Sequence, residues 1–204
     1  MALAPLRFWQ SLYPGRMGVN WPAAASDLHQ RSAAVGMFAP ERIRGRGAWW
    51  DNGRSVLHLG DRLITPAGEQ PITTPFPSSH IYQRLKRLEG PCGVEPLTLP
   101  EAAVIVSIAN RFRWEVPASA TLLSGWVVLA PICGALRWRP HLWLTAGAGT
   151  GKSAILDRFV APLLADFALL VSGATTEAGL RQSLCSDALP VVFDEAESNE
   201  RSDR

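Results

Sequence analysis

The chain has 204 residues, 47% of them hydrophobic and 19% charged. That is enough apolar material for a buried core and too much for a disordered chain. Twenty basic against eighteen acidic residues leave a formal charge of +2, which excludes a strong nonspecific grip on nucleic acid and leaves only local basic faces.

Cys92, Cys133 and Cys185 are odd in number and widely spaced, and His29, His58, His80 and His141 are scattered. This argues against a disulfide framework or a zinc site, and it fits a reducing, cytoplasmic setting. Only Lys86 and Lys152 are lysines; the remaining basic residues are arginines, a bias that GC-rich coding explains. No basic segment followed by an apolar run marks the N-terminus as a signal peptide.

Residues 1–40 read as a mixed segment. Pro and Gly punctuate its first part, and one helix is expected over Ala23 to Met37, with Ser26 as a possible cap. Residues 41–75 read as a small antiparallel β region. Ala48-Trp49-Trp50 and Ser55-Val56-Leu57-His58-Leu59 flank Asn52-Gly53, a dipeptide whose two residues tolerate the positive φ of a tight hairpin. Pro71 to Ser79 is Pro/Thr/Ser-rich, and residues 76–96 read as a linker. Residues 97–140 read as helical, with Thr98 as cap and Pro100 and Glu101 in the first turn. Val116 to Leu136 carries no charge over a length that could span a bilayer. Its prolines, glycines and hydroxyl residues favour a buried core helix over a membrane segment.

From His141 the pattern alternates. Leu142 to Thr145 and Phe167 to Val171 read as the first two strands, and Leu189 to Phe193 as a third. Helices are expected from Lys152 to about Leu164 and from Thr175 to about Ser186. This order implies a parallel α/β sheet.

The first of these strands leads into Ala146-Gly147-Ala148-Gly149-Thr150-Gly151-Lys152-Ser153. It has the form of a phosphate-binding P-loop with alanine in place of the first glycine. Small residues let backbone N–H groups curl around phosphate oxygens, and the following helix adds its positive end. Gly147, Ala148, Gly149, Thr150, Gly151, Lys152 and Ser153 are therefore the expected nucleotide-binding residues. Lys152 is assigned to the β/γ-phosphates and Ser153 to Mg²⁺. Ala146 suffices at its position unless the backbone there needs positive φ.

The third strand ends in Asp194-Glu195, the acidic pair expected at the carboxyl end of a parallel strand beside a P-loop. Asp194 is assigned to Mg²⁺, directly or through water. Glu195 is assigned to the attacking water. Lys152, Asp194 and Glu195 form the expected catalytic set, with ATP and Mg²⁺ as cofactors. A glutamate following the aspartate favours hydrolysis over transfer to a small metabolite.

The runs WLTAGAGTGKSAILDRFVAPLL, SGATTEAGLRQSL and DALPVVFDEAES, with GRGAWWDNGRSVLHLGDRLI upstream, resemble the primase–helicase proteins of phages and prophages, P-loop ATPases of the superfamily 3 and AAA+ kind. The resemblance spans about residues 40–200. It implies an α/β fold with an incomplete P-loop NTPase parallel sheet, preceded by the small β-rich and helical regions. It also implies ATP hydrolysis that drives DNA unwinding, single-stranded DNA as partner, and a homo-oligomeric ring without membrane attachment. Sensor and arginine-finger residues of that family are not found here, nor is a primase site, so the chain is expected to be the front part of a larger protein with little activity alone. The alternative is a non-catalytic remnant that binds nucleotide weakly or only mediates assembly. Arg181 matches a family-like position and receives no role.

Two basic–aromatic clusters leave their reading open. Arg42, Arg44 and Arg46 before Trp49 and Trp50 suit phosphate contacts and base stacking, or a strand with arginines outward and tryptophans packed inward. Arg111, Arg113, Trp114, Arg137, Trp138 and Arg139 present the same choice, with the tryptophans expected to anchor the helical region.

Overall fold

The computed structural model describes residues 4–36, 39–89, 95–147, 149–173 and 175–194. The chain is mixed α/β with small sheets, and it divides into two compact units, residues 1–41 and 42–204.

The first unit holds α1 (Leu6–Leu12), a two-stranded ribbon β1 (Pro14–Gly15) and β2 (Gly18–Val19), and α2 (Trp21–Val35). Helix α2 starts two residues before the expected position. Asn20, not Ser26, caps it, accepting from the Ala23 N–H at 3.1 Å with Pro22 in the first turn. Trp9 packs among Phe8, Tyr13 and Trp21, and the Tyr13 hydroxyl donates to Asp27, which also pairs with Arg31 one turn on.

The second unit opens with β3 (Ile43–Arg44) and a four-stranded antiparallel meander: β4 (Gly47–Asp51), β5 (Arg54–His58), β6 (Arg62–Thr65) and β7 (Gly68–Pro71). The β4–β5 hairpin turns at Asn52 and Gly53, both at positive φ. Val56, Leu59 and Leu63 are fully buried.

The stretch expected to be a linker is held to this sheet. β8 (Ile81–Tyr82) runs parallel to β3. Asp51, 1% exposed, accepts from the hydroxyls of Ser78, Ser79 and Tyr82 at 2.6, 2.8 and 3.2 Å and from the Ser79 N–H. Further along, the Leu85 and Leu88 N–H groups donate to the Gly60 and Leu59 carbonyls. A buried carboxylate must be hydrogen-bonded to be tolerated, and among the described residues this stretch supplies the side-chain donors.

Helices α3 (Leu99–Ala109) and α4 (Ser119–Leu129) follow. The Thr98 N–H and hydroxyl both donate to Glu101, so the start of α3 matches its sequence signal. Neither helix is long and apolar enough to cross a membrane, and no other helix among the described residues is.

Beyond them, α5 (Lys152–Ile155) continues through a π turn (Leu156–Val160) into α6 (Ala161–Leu164). Strand β9 (Leu169–Ser172), α7 (Glu177–Leu184) and β10 (Val191–Asp194) complete the described chain. The β9–β10 pair is parallel, with Asp194 opposite Ser172. Leu142 to Thr145 is a correction to the expected sheet: it forms no strand. A strand needs a partner for its backbone groups, and among the described residues β9 and β10 bond only to each other. Leu142 and Leu144 nonetheless pack on the core formed by Ala109, Leu123, Val127, Phe159, Val160 and Val192.

Candidate functional site

The loop after Thr145 gives the first elements of the site. Gly149 and Gly151 sit at φ +74° and +98°, in the left-handed region that side-chain-bearing residues adopt at a cost. A Cβ at either position would meet no neighbour, so the requirement is conformational and not steric. Ala146 is not among the residues at positive φ, so alanine at the first position of the motif carries no backbone strain. The Thr150 hydroxyl donates to the Gly147 carbonyl at 2.7 Å and closes the loop on itself. Ala148 lies outside the described residues.

Gly151 caps the helical run, whose first bond is Ile155 N–H to the Gly151 carbonyl at 3.2 Å. The N–H groups of the first turn have no partner within the helix, which is the geometry that favours an anion. Lys152 is half-buried and Ser153 exposed, both in that turn, and the loop itself is open to solvent.

Asp194 closes β10 and is partly buried, with an interaction partner of its own. Ile155, Phe159, Val160 and Leu164 of the run after the loop share one core with Val192 of β10, so loop and acidic strand are braced through common packing. Glu195 lies outside the described residues. No group of three or more His, Cys, Asp or Glu side chains gathers for a metal among the described residues. A P-loop magnesium needs no such cage, because phosphate oxygens and water supply most of its ligands.

The structure also shows how the upstream sheet meets the segment leading to β10. Arg46 donates from Nε and Nη2 to Asp187 Oδ2 at 2.9 and 2.5 Å, while its own N–H donates to Oδ1 at 2.6 Å. The Gly45 N–H donates to the Ser186 carbonyl, the Ala188 N–H to the Arg46 carbonyl, and the Cys133 thiol to the Ala188 carbonyl. Gly47 faces Ala188 so closely that a Cβ there would run into its carbonyl. Sequence reasoning gave Asp187 no role. It stands in the quoted run before the acidic strand, but its partner is 141 residues away and no local pattern announces it.

Next to this clasp, His58 is fully buried, with Nδ1 2.5 Å from the Gly45 carbonyl. Because a carbonyl only accepts, Nδ1 carries the proton. Burial pushes the imidazole pKa below its ordinary value, against the opposing pull of that carbonyl. For Asp51, burial raises the carboxyl pKa, and the Ser78, Ser79 and Tyr82 donors outweigh it, leaving a net lowering. Tyr82 is raised, first by burial and then by the Asp51 charge.

The basic–aromatic clusters resolve residue by residue. Arg42 donates to the Ser79 carbonyl, Arg44 lies over the Trp49 ring at 4.9 Å, and Arg46 holds Asp187. All three are engaged within the protein. Trp49 donates to the Gly45 carbonyl, whereas Trp50 is 59% exposed, so the inward-tryptophan expectation holds for one of the pair. Trp114 and Trp126 pack against the core; Trp138 and Trp143 are exposed and do not anchor the helical region. Arg181 pairs with Glu177 on the exposed face of α7.

No protein-family model, curated protein or solved structure was found to match this chain.

Proposed function

We propose that this chain is the nucleotide-binding part of an ATP-driven DNA helicase of the phage primase–helicase kind, built on a P-loop NTPase sheet. The observation that carries this reading is the pair of positive-φ glycines, Gly149 and Gly151, directly ahead of a helical run that begins at Lys152. A chance glycine-rich turn has no reason to combine that backbone with a lysine and a serine in the first helical turn.

In this reading Gly147 to Gly151 cradle the phosphates with backbone N–H groups, and Lys152 balances their charge. Ser153 and Asp194 would hold the Mg²⁺ that accompanies ATP, and Glu195 would orient water. Mg²⁺-ATP, when bound, supplies the phosphoanhydride to be cleaved. The protein's own work is positioning and charge stabilisation. The DNA partner and the ring assembly belong to the same proposal and rest on the resemblance.

A titration with Mg²⁺-ATP tests it. The wild-type chain is expected to bind, and Lys152→Ala to bind about tenfold or more weakly, on the scale of a lost charge-assisted hydrogen bond. Equal affinity would refute the assignment. The two-stranded extent of the described parallel sheet favours a second reading, a module that binds nucleotide without turning it over. DNA-stimulated ATP turnover by the chain would exclude this second reading.

A further inference from the structure

A cavity of about 370 Å³, lined by no residue of the glycine-rich loop, lies between residues 86–88 and the turn that leads into β9. Arg46, Lys86, Arg87, Asp166 and Leu170 of β9 line it. Three cations thus face one carboxylate of the lining. Arg46 is already held by Asp187, and Arg87 also feels the Asp61 carboxylate. Lys86 makes no ion pair among the described residues and is exposed.

The backbone separates this arrangement from an ordinary solvated charge run. Leu85 and Leu88 donate to the Gly60 and Leu59 carbonyls at 2.9 and 2.8 Å, and Leu88 is buried. Residues 86 and 87 are therefore pinned at both ends, and their two charged side chains leave a segment that is already ordered. A guanidinium fork and a compact ammonium that line one cleft and leave an ordered backbone suit a group with several charged oxygens, and the backbone ordering cost is already met before binding.

We infer that this cleft is a second anion site that takes a phosphate group, with Lys86 and Arg87 as its principal ligands and Arg46 at its wall. Free phosphate compounds and the backbone of single-stranded nucleic acid offer the same chemistry. The site is independent of the P-loop reading. It is also tied to the segment that leads into β10, because Arg46 both lines the cleft and holds Asp187.

The test uses the full chain carrying Lys152→Ala, so that the P-loop does not contribute, with inorganic phosphate and a twelve-residue oligothymidylate as probes. Calorimetry and fluorescence anisotropy read the binding. At least one probe is expected to bind, and Lys86→Glu is expected to weaken it about tenfold or more, with Lys86→Arg close to the starting protein. Tighter binding of the oligonucleotide, falling steeply with added salt, assigns the cleft to nucleic-acid backbone. Tighter binding of phosphate assigns it to a free anion. Arg87→Gln serves as the second variant should Lys86→Glu fail a thermal-melt check. The inference is overturned if neither probe binds, or if both charge variants bind like the starting protein. Loss of ATP binding in wild type would sink the P-loop reading and leave this one standing.

Discussion

The meander and the half that carries the glycine-rich loop are built on opposite principles. Between Gly45 and Leu88, several polar groups at the sheet are bonded to partners far away in sequence: Asp51 to Ser78, Ser79 and Tyr82, His58 Nδ1 to Gly45, Arg46 to Asp187. Between Leu142 and Asp194, the loop is exposed and bonded mainly to itself, and its support is apolar packing beneath it. The contrast teaches that the first region is over-determined and the second poised. Buried polar groups tolerate one arrangement because each unpaired atom costs free energy. A loop proposed to bind phosphate needs its backbone donors left open.

If this contrast is right, the largest stability losses belong to the meander. Asp51→Ala leaves three hydroxyls and an N–H without their acceptor, and urea denaturation is expected to show a loss of about 3 kcal/mol. Arg46→Ala strands Asp187, which is 5% exposed, and a similar loss of about 3 kcal/mol is expected. A loss below about 1 kcal/mol for either variant would put the two regions on an equal footing.

Lys152→Ala is expected to do the reverse, leaving the denaturation midpoint within about 0.5 kcal/mol of wild type while ATP affinity drops. Gly149→Ala and Gly151→Ala force a side chain into positive φ, and each is expected to cost about 1 kcal/mol, read from thermal melts. Ala146→Gly should lower stability by a few tenths of a kcal/mol at most and leave nucleotide binding unchanged, since Ala146 already has an ordinary backbone.

The smallest effect sought is in pH. The folded-state pKa of His58 lies below the unfolded value of about 6.5. Its contribution to stability is therefore complete above that value and declines as pH falls toward the lowered pKa, because the unfolded chain takes up the proton first. Melting at pH 7.5 and 5.5 measures this drop, and His58→Gln is expected to reduce it. Asp51 acts the same way at more acid pH: its stabilisation holds above the ordinary carboxyl range and is lost as pH falls through its lowered pKa.

Much of the local architecture was legible in the sequence. The Asn52-Gly53 hairpin, the Thr98 start of α3, and the helix–strand–helix–strand order after Lys152 rest on short-range chemistry: turn residues, caps and apolar period. The glycines of the loop were legible for the same reason, since positive φ is a property of single residues. The misses have a common cause. Asn20, not Ser26 six residues on, caps α2, a boundary that neighbouring packing decides. Leu142 to Thr145 has a strand's composition, but strand formation depends on a partner that composition does not name. The supposed linker contains Ser78, Ser79 and Tyr82, unremarkable until Asp51 is placed beside them.

By itself, then, the sequence determined the residues that carry the candidate nucleotide chemistry, because a P-loop is contiguous and each of its parts acts through its own backbone or side chain. Only the tertiary structure decided what those residues lean on. The Arg46–Asp187 clasp, the Asp51 network and the cleft around Lys86 and Arg87 join positions that are far apart along the chain, and no local periodicity encodes a contact whose partner lies dozens of residues away.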